Sequence, residues 1–142
     1  MNQTKAMDAV RKKFKNLGLK NNLEIVYSAR KGIKPTIFYS FADVAKMTEQ
    51  NLADLLHLHP RTIQNRRSQQ KNLDPVEGEH LLKLIALFVK GEELFGSIDE
   101  FNSWLHKPSW QHKEKPSELL STPGGTDLIA DELERLVHGY AV

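Results

Sequence analysis

The residues best suited to chemistry in this chain lie between positions 61 and 67. Arginine can pair with guanine through two hydrogen bonds, asparagine pairs with adenine in the same way, and threonine can contact a thymine methyl group or a phosphate. With Ile63 pointing inward, Arg61, Thr62 and Asn65 lie on the outward side of a helix, while Arg67 and Lys71 suit backbone phosphates. We predict a DNA-binding surface formed by Arg61, Thr62, Gln64, Asn65, Arg66, Arg67 and Lys71. The alternative is an ordinary solvated helix face.

Two short helices would position this surface. Thr48 is a favourable N-cap for the first helix, which we expect to end near His57. Pro60 suits the first turn of the second helix, because its missing N–H is not needed there, and we predict that this helix runs to about Gln70. A helix–turn–helix of this kind places its second helix in the major groove.

The turn between these helices has its own sequence requirements. Ala53 is small enough for a close helix crossing, and Leu58 and Ile63 provide apolar anchors. Four residues after Ala53 the backbone usually has a positive φ and favours glycine, but here the residue is His57. Histidine tolerates this conformation better than most residues, so we expect the motif to form with some strain at His57.

Apolar residues elsewhere recur with helical spacing, and no segment alternates convincingly over the length of a strand. We therefore predict an all-α fold, preceded by a partly ordered basic arm over residues 1–30. Further N-terminal signals, of the capping or proline type, predict where the other helices begin. These positions are Pro35, Asp74–Pro75, Ser97, Pro116 and Thr122–Pro123, and the last helix should stop at Gly139.

The net charge of +2 hides a division along the 142 residues. Residues 1–72 have 14 Lys and Arg against five Asp and Glu, a balance of +9, whereas residues 73–142 have six against 13, a balance of −7. A basic half suits a polyanion, and an acidic half suits a basic protein surface. Two merely solvated charged faces are the alternative.

Several kinds of chemistry find no support. The absence of cysteine excludes a disulfide scaffold, a cysteine nucleophile and a thiolate metal site, and the six histidines have no metal-ligand spacing. Gly124 and Gly125 indicate a turn, and we expect Glu92, Glu93 and the carboxylates of 131–134 to be solvated on helix faces. From these patterns we predict a protein that is not an enzyme and has no cofactor or metal. We also predict that it is cytoplasmic, since no long apolar run or leader-like segment is present.

Five motifs, in this order and spacing, resemble the Xre/MbcA/ParS family of antitoxins. The resemblance covers about 113 residues, from Arg30 to Val142, and leaves the basic arm unexplained. The motifs are LLHLHPRTI at 55–63, LFG at 94–96, WLHKP at 104–108, PSELLSTPGG at 116–125 and LVHGY at 136–140.

The resemblance implies an Xre-like helix–turn–helix bundle over 31–73, continued by a small helical toxin-binding domain over 74–142. It implies a homodimeric antitoxin that binds a RES-domain toxin, an NAD-degrading enzyme, and represses its own operon. The tail would enter or cover the toxin's active-site cleft through Arg135, His138, Gly139, Tyr140, Ala141 and Val142. We expect Trp110 to cap the core or contact a partner. The alternative is a stand-alone regulator whose acidic half dimerises or senses a ligand.

Overall fold

The computed structural model describes residues 9–108 and 113–139, and these residues form an all-helical fold, as predicted. Trp110 and the tail residues Tyr140, Ala141 and Val142 lie outside the described residues. No helix within the described ranges is both long and apolar enough to cross a membrane. The helices are α1 (Ala9–Lys13), α2 (Asn22–Lys31), α3 (Pro35–Val44), α4 (Glu49–Leu55), α5 (Pro60–Gln69), α6 (Pro75–Phe95), α7 (Ile98–Leu105), a 3₁₀ helix (Pro116–Ser121) and α8 (Pro123–Val137).

Three of the side-chain caps that the sequence predicts lie at the starts of their helices. The hydroxyl of Thr48 accepts the N–H of Asn51 at 3.0 Å at the start of α4. Ser97 caps α7 through the N–H of Glu100 at 3.1 Å, and Thr122 caps α8 through the N–H of residue 125 at 2.9 Å. Each contact satisfies a backbone donor that the first helical turn leaves without a partner. The predicted starts of these helices are confirmed.

Helix α6 is the centre of the core, because α1, α2, α7 and α8 all pack against it. The middle of α6 is buried around most of its circumference, because helices that precede it in the chain and helices that follow it both pack against it. Burying one such side chain contributes about 1.5–3 kcal/mol of hydrophobic free energy. The buried apolar residues of α6 are Leu81, Leu82, Leu84, Ile85, Leu87 and Phe88, each at most 1% exposed.

The prediction that Glu92 is solvated is wrong. Glu92 is 1% exposed, and its carboxylate accepts the backbone N–H groups of Ala9 at 3.2 Å and Val10 at 2.9 Å. These donors open α1, where a negative charge is favourable. Glu93 stays about half exposed and contacts Arg11. The apolar spacing of α6 alone does not reveal that α1, from the predicted basic arm, covers this position.

Gly124 and Gly125 belong to the first turn of α8, so their interpretation as a separate turn is wrong. Gly125 permits a close approach, because a Cβ there would lie 1.8 Å from the carbonyl oxygen of Leu119. Gly91 plays a similar part on α6, where a Cβ would lie 2.3 Å from the buried ring of Phe101. The structure therefore needs glycine at these two positions for packing.

Candidate nucleic-acid interface

Helices α4 and α5 form the predicted helix–turn–helix. Ala53 and Ile63 are completely buried where the two helices meet. The N–H of Leu58 donates to the carbonyl of Ala53 at 2.9 Å, which closes the turn. His57 has φ 58°, so the positive φ predicted for this non-glycine residue is confirmed. The local residue pattern accounts for the whole turn.

The outer face of α5 holds most of the predicted DNA-binding residues. Arg61, Gln64, Asn65 and Arg67 are exposed and Thr62 is half-buried, whereas Ile63 faces the core. The N-cap is His59, whose Nδ1 accepts the N–H of Arg61 at 3.0 Å and orders the first turn. Sequence reasoning missed this cap, since histidine is not a common N-cap residue. None of the exposed basic residues of α5 has a carboxylate partner within the part of the chain that the structure describes.

Arg66 differs from its neighbours on α5. Its guanidinium contacts the Glu77 carboxylate and lies 3.4 Å from an oxygen of Asp74, and its side chain is only 19% exposed. The hydrogen bond from Arg66 to Glu77 raises the pKa of the guanidinium further. This contact ties the recognition helix to the first turn of α6. The structure thus gives Arg66 protein partners, whereas Arg61, Gln64, Asn65 and Arg67 are exposed.

Two histidines connect the helix–turn–helix part to the carboxyl-terminal helices. Nε2 of His57 lies 2.7 Å from the carbonyl oxygen of Ser121, and Nε2 of His80 lies 2.9 Å from that of Leu120. These carbonyls are consecutive and immediately precede the cap of α8. Burial lowers the pKa of His80, so its neutral form is favoured. The only sequence signal for these contacts is the unusual histidine at the turn position.

The predicted toxin-binding residues lie at the end of α8, as far as they are described. Arg135 is about half exposed and lies 3.8 Å from Glu132, and Nε2 of His138 lies 3.5 Å from the Glu134 carboxylate. Gly139 follows with φ 69°, at the predicted stop of the helix. The remaining tail residues of this set lie outside the described ranges. The structure therefore places the start of the tail at a helix end on the surface.

An open cleft of about 640 Å³ separates α4 from α7 and the 3₁₀ helix. Its lining is mixed: Asn51, Asp54 and Asn102 are polar, and Leu55 and Leu105 are apolar. A search of the two described ranges finds no group of three or more His, Asp or Glu side chains placed to hold a metal ion.

Comparison with protein-family models assigns both parts of the chain. Residues 24–86 match the antitoxin Xre-like helix-turn-helix domain, and residues 90–139 match the antitoxin Xre/MbcA/ParS C-terminal toxin-binding domain. The first match begins six residues before Arg30 and includes most of α2. No curated protein matches the chain. The two matched ranges meet within α6, the helix that carries the shared core.

Proposed function

Because the chain belongs to the Xre/MbcA/ParS family of antitoxins, we propose that it neutralises a RES-domain, NAD-degrading toxin by direct binding in the cytoplasm. We further propose that it binds its own operator as a homodimer and so regulates its own transcription. The antitoxin class rests on the two domain matches; the toxin's class, the dimer and the autoregulation are the proposal.

For DNA binding, the exposed face of α5 carries the proposal. Arg61 and Asn65 are exposed on a helix that is anchored by Ile63, and Arg61 has no ion-pair partner among the described residues. Arg61 suits guanine and Asn65 suits adenine, because each can form two parallel hydrogen bonds to a base edge. Thr62 and Gln64 flank them. Arg67 and Lys71 lie further along the motif, where phosphate contacts fix its register on the duplex.

For toxin binding, the proposed surface is the outer face and the end of α8. Leu128 is 61% exposed and Val137 is 58% exposed, so this helix presents apolar area without a partner in the described chain. Arg135, His138 and Gly139 continue the surface towards residues 140–142. We propose that these residues and the tail contact the toxin near its active site.

A gel-shift series tests the DNA half of the proposal, with a duplex from upstream of this gene and an unrelated duplex. Arg61→Ala and Asn65→Ala should each weaken binding to the upstream duplex by about 5- to 150-fold, which corresponds to about 1–3 kcal/mol per lost bidentate contact. Binding to the unrelated duplex should change little. Arg135→Ala, which removes an exposed arginine from α8, is the matched control. Unchanged discrimination in the Arg61→Ala/Asn65→Ala double variant would refute the assignment of α5.

Co-expression with the product of the adjacent gene tests the toxin half. The antitoxin should co-purify with that protein, rescue cells from it and suppress its NAD-degrading activity. Removal of residues 138–142 should weaken neutralisation if the tail reaches the active site. Intact neutralisation by the truncated chain would contradict the role of the tail, whereas failure to co-purify would contradict toxin binding.

The cleft between α4 and α7 favours a second candidate, a stand-alone regulator that senses a ligand. A ligand there would contact both the helix–turn–helix and the carboxyl-terminal helices, so it could change the position of α5. A metabolite-mixture screen by thermal shift, with Asn102→Leu as the cleft variant, separates the candidates. A ligand-induced stabilisation that this variant abolishes, without any toxin partner, would favour the sensor.

A further inference from the structure

We propose that Lys31, Lys34 and Lys71 form a second phosphate-binding surface, the lysine surface, which extends the DNA footprint beyond the recognition helix. The proposal rests on the DNA binding proposed above and adds two residues outside the helix–turn–helix itself. Its partner is the sugar–phosphate backbone of duplex DNA beside the bases that α5 contacts.

A local backbone contact brings these lysines together. The N–H of Leu73 donates to the carbonyl of Ile33 at 2.9 Å, and the two residues form an isolated antiparallel bridge. The segment after α2 therefore runs beside the segment after α5. Gly32, with φ 118°, allows this approach, because a Cβ there would lie 2.2 Å from the side-chain nitrogen of Asn72. The bridge therefore sets the segment that carries Lys31 and Lys34 beside the segment that carries Lys71, although the two segments are distant in sequence.

Within the described ranges, no carboxylate compensates the charge of these lysines. All three are exposed, and none has a carboxylate partner among the residues described. The carboxylates that follow on the chain, Asp74 and Glu77, are instead contacted by Arg66. The lysine surface therefore keeps a net positive charge, which is available to a polyanion.

Helix stability does not account for the position of Lys34. It is the N-cap of α3, where Ser, Thr, Asp and Asn are favoured, and its side chain makes no capping hydrogen bond. A positive charge at this end also opposes the helix dipole, and the first turn of α3 has no acidic residue to offset it. Lys31 lies in the last turn of α2, where its charge is favourable. An external anion would compensate the unfavourable charge of Lys34.

The lysine surface is continuous with the exposed face of α5. The N–H of Lys71 donates to the carbonyl of Arg66 at 2.8 Å, so Lys71 directly follows the recognition helix. The guanidinium of Arg67 lies 4.8 Å from the ring centre of Tyr39 on α3, the helix that begins after Lys34. Arg67 thus lies beside α3, and Lys34 is at the N-terminus of that helix. Phosphates that flank the base-reading site are the anions to which this arrangement is complementary.

The test measures the salt dependence of DNA affinity for the full-length Lys31→Gln/Lys34→Gln/Lys71→Gln variant. The matched control, Lys107→Gln/Lys113→Gln/Lys115→Gln, removes the same charge from exposed lysines of the carboxyl-terminal part. Because each phosphate contact contributes about 0.9 to the slope of log affinity against log salt, the lysine-surface variant should lose about 2–3 from that slope. The loss should be equal for the upstream duplex and an unrelated duplex, and the control should keep the wild-type slope.

The outcomes separate this proposal from the proposed function. A lysine-surface variant with the wild-type slope would overturn the lysine surface, even if Arg61→Ala/Asn65→Ala still loses discrimination. Wild-type protein that binds neither duplex would overturn DNA binding altogether. If the variant loses toxin co-purification but keeps the slope, the lysines bind a protein and the proposal is wrong. Circular dichroism confirms that each variant is folded.

Discussion

The two halves of this molecule use their charges differently. In the carboxyl-terminal half, Asp99, Asp127 and Glu134 are each within ion-pair distance of a lysine, and Glu92 is buried on the backbone of α1. Of these three lysines, Lys46 comes from the basic half, whereas Lys83 and Lys90 belong to the acidic half. In that basic half, by contrast, the cations of α5 and the lysine surface have no carboxylate partners in the described ranges, with the exception of Arg66.

The difference shows that net charge in a sequence is not the charge available at a surface. The cations of the basic half leave an open cationic surface around α5, whereas many of the 13 carboxylates of the acidic half are engaged within the protein. The expectation that negative charge recruits a basic toxin stays a prediction, and it rests on fewer free carboxylates than the sequence indicates. The exposed apolar residues of α8, Leu128 on its outer face and Val137 at its end, are two separate positions of the proposed toxin contact.

The largest expected effect tests whether packing, rather than charge, maintains the carboxyl-terminal half. Gly91→Ala should lower the free energy of unfolding by about 3 kcal/mol, because the new Cβ would overlap the ring of Phe101. Urea denaturation measures the loss. Gly124→Ala is the matched control, since no atom lies within 4 Å of its Cβ position; it should be neutral or slightly stabilising. Equal effects at the two glycines would contradict the packing argument.

The next effect concerns two adjacent arginines of α5, one paired and one unpaired. Arg66→Ala should destabilise the fold by about 2 kcal/mol, because it leaves the mostly buried carboxylate of Glu77 without its cation. Arg67→Ala should change stability by about 0.5 kcal/mol at most, since it loses only the contact with Tyr39. In gel shifts, Arg67→Ala should weaken all sequences alike. If Arg67→Ala lost more stability than Arg66→Ala, the assignment of Arg66 as the structural arginine of α5 would be wrong.

Local features of the fold could be predicted from sequence. The caps at Thr48, Ser97 and Thr122 are confirmed. They could be predicted because each contact joins residues that are only three positions apart. The positive φ of His57 follows from the spacing of the turn. The exposure of Arg61 follows in turn from the inward position of Ile63. The DNA contacts themselves stay a prediction.

Other features depend on contacts between segments that are distant in sequence. The burial of Glu92 requires α1 to pack on α6, and apolar periodicity within α6 cannot show this. The pairing of Arg66 with Glu77 depends on the angle between α5 and α6. The contact of His57 with Ser121 joins the two halves of the chain. Such contacts arise from tertiary packing, for which these residues have no local signature.

A smaller effect, visible in the pH dependence of stability, tests the packing of α6 against the segment that precedes α8. Burial, reinforced by the charges of His57 and Lys83, lowers the pKa of His80. Below its ordinary pKa of about 6.5, the unfolded chain therefore binds more protons than the folded chain. Stability should fall as the pH is lowered from 7.5 to 5.5. His80→Gln should reduce this slope in urea denaturation, while His106→Gln, at an exposed position, should keep it. An unchanged slope in the His80→Gln variant would exclude this group as its source.

The smallest effect should come from the ion pair that crosses between the halves. Lys46 Nζ lies 2.8 Å from the Asp99 carboxylate, but the two side chains are 60% and 70% exposed. Exposed pairs contribute little because water screens them and both side chains lose freedom, so a Lys46→Gln/Asp99→Asn double-mutant cycle should give a coupling below about 0.5 kcal/mol. Such a value would mean that this pair removes charge from the acidic surface without holding the halves together. A coupling above about 1.5 kcal/mol would instead show that this ion pair stabilises the association of the two halves.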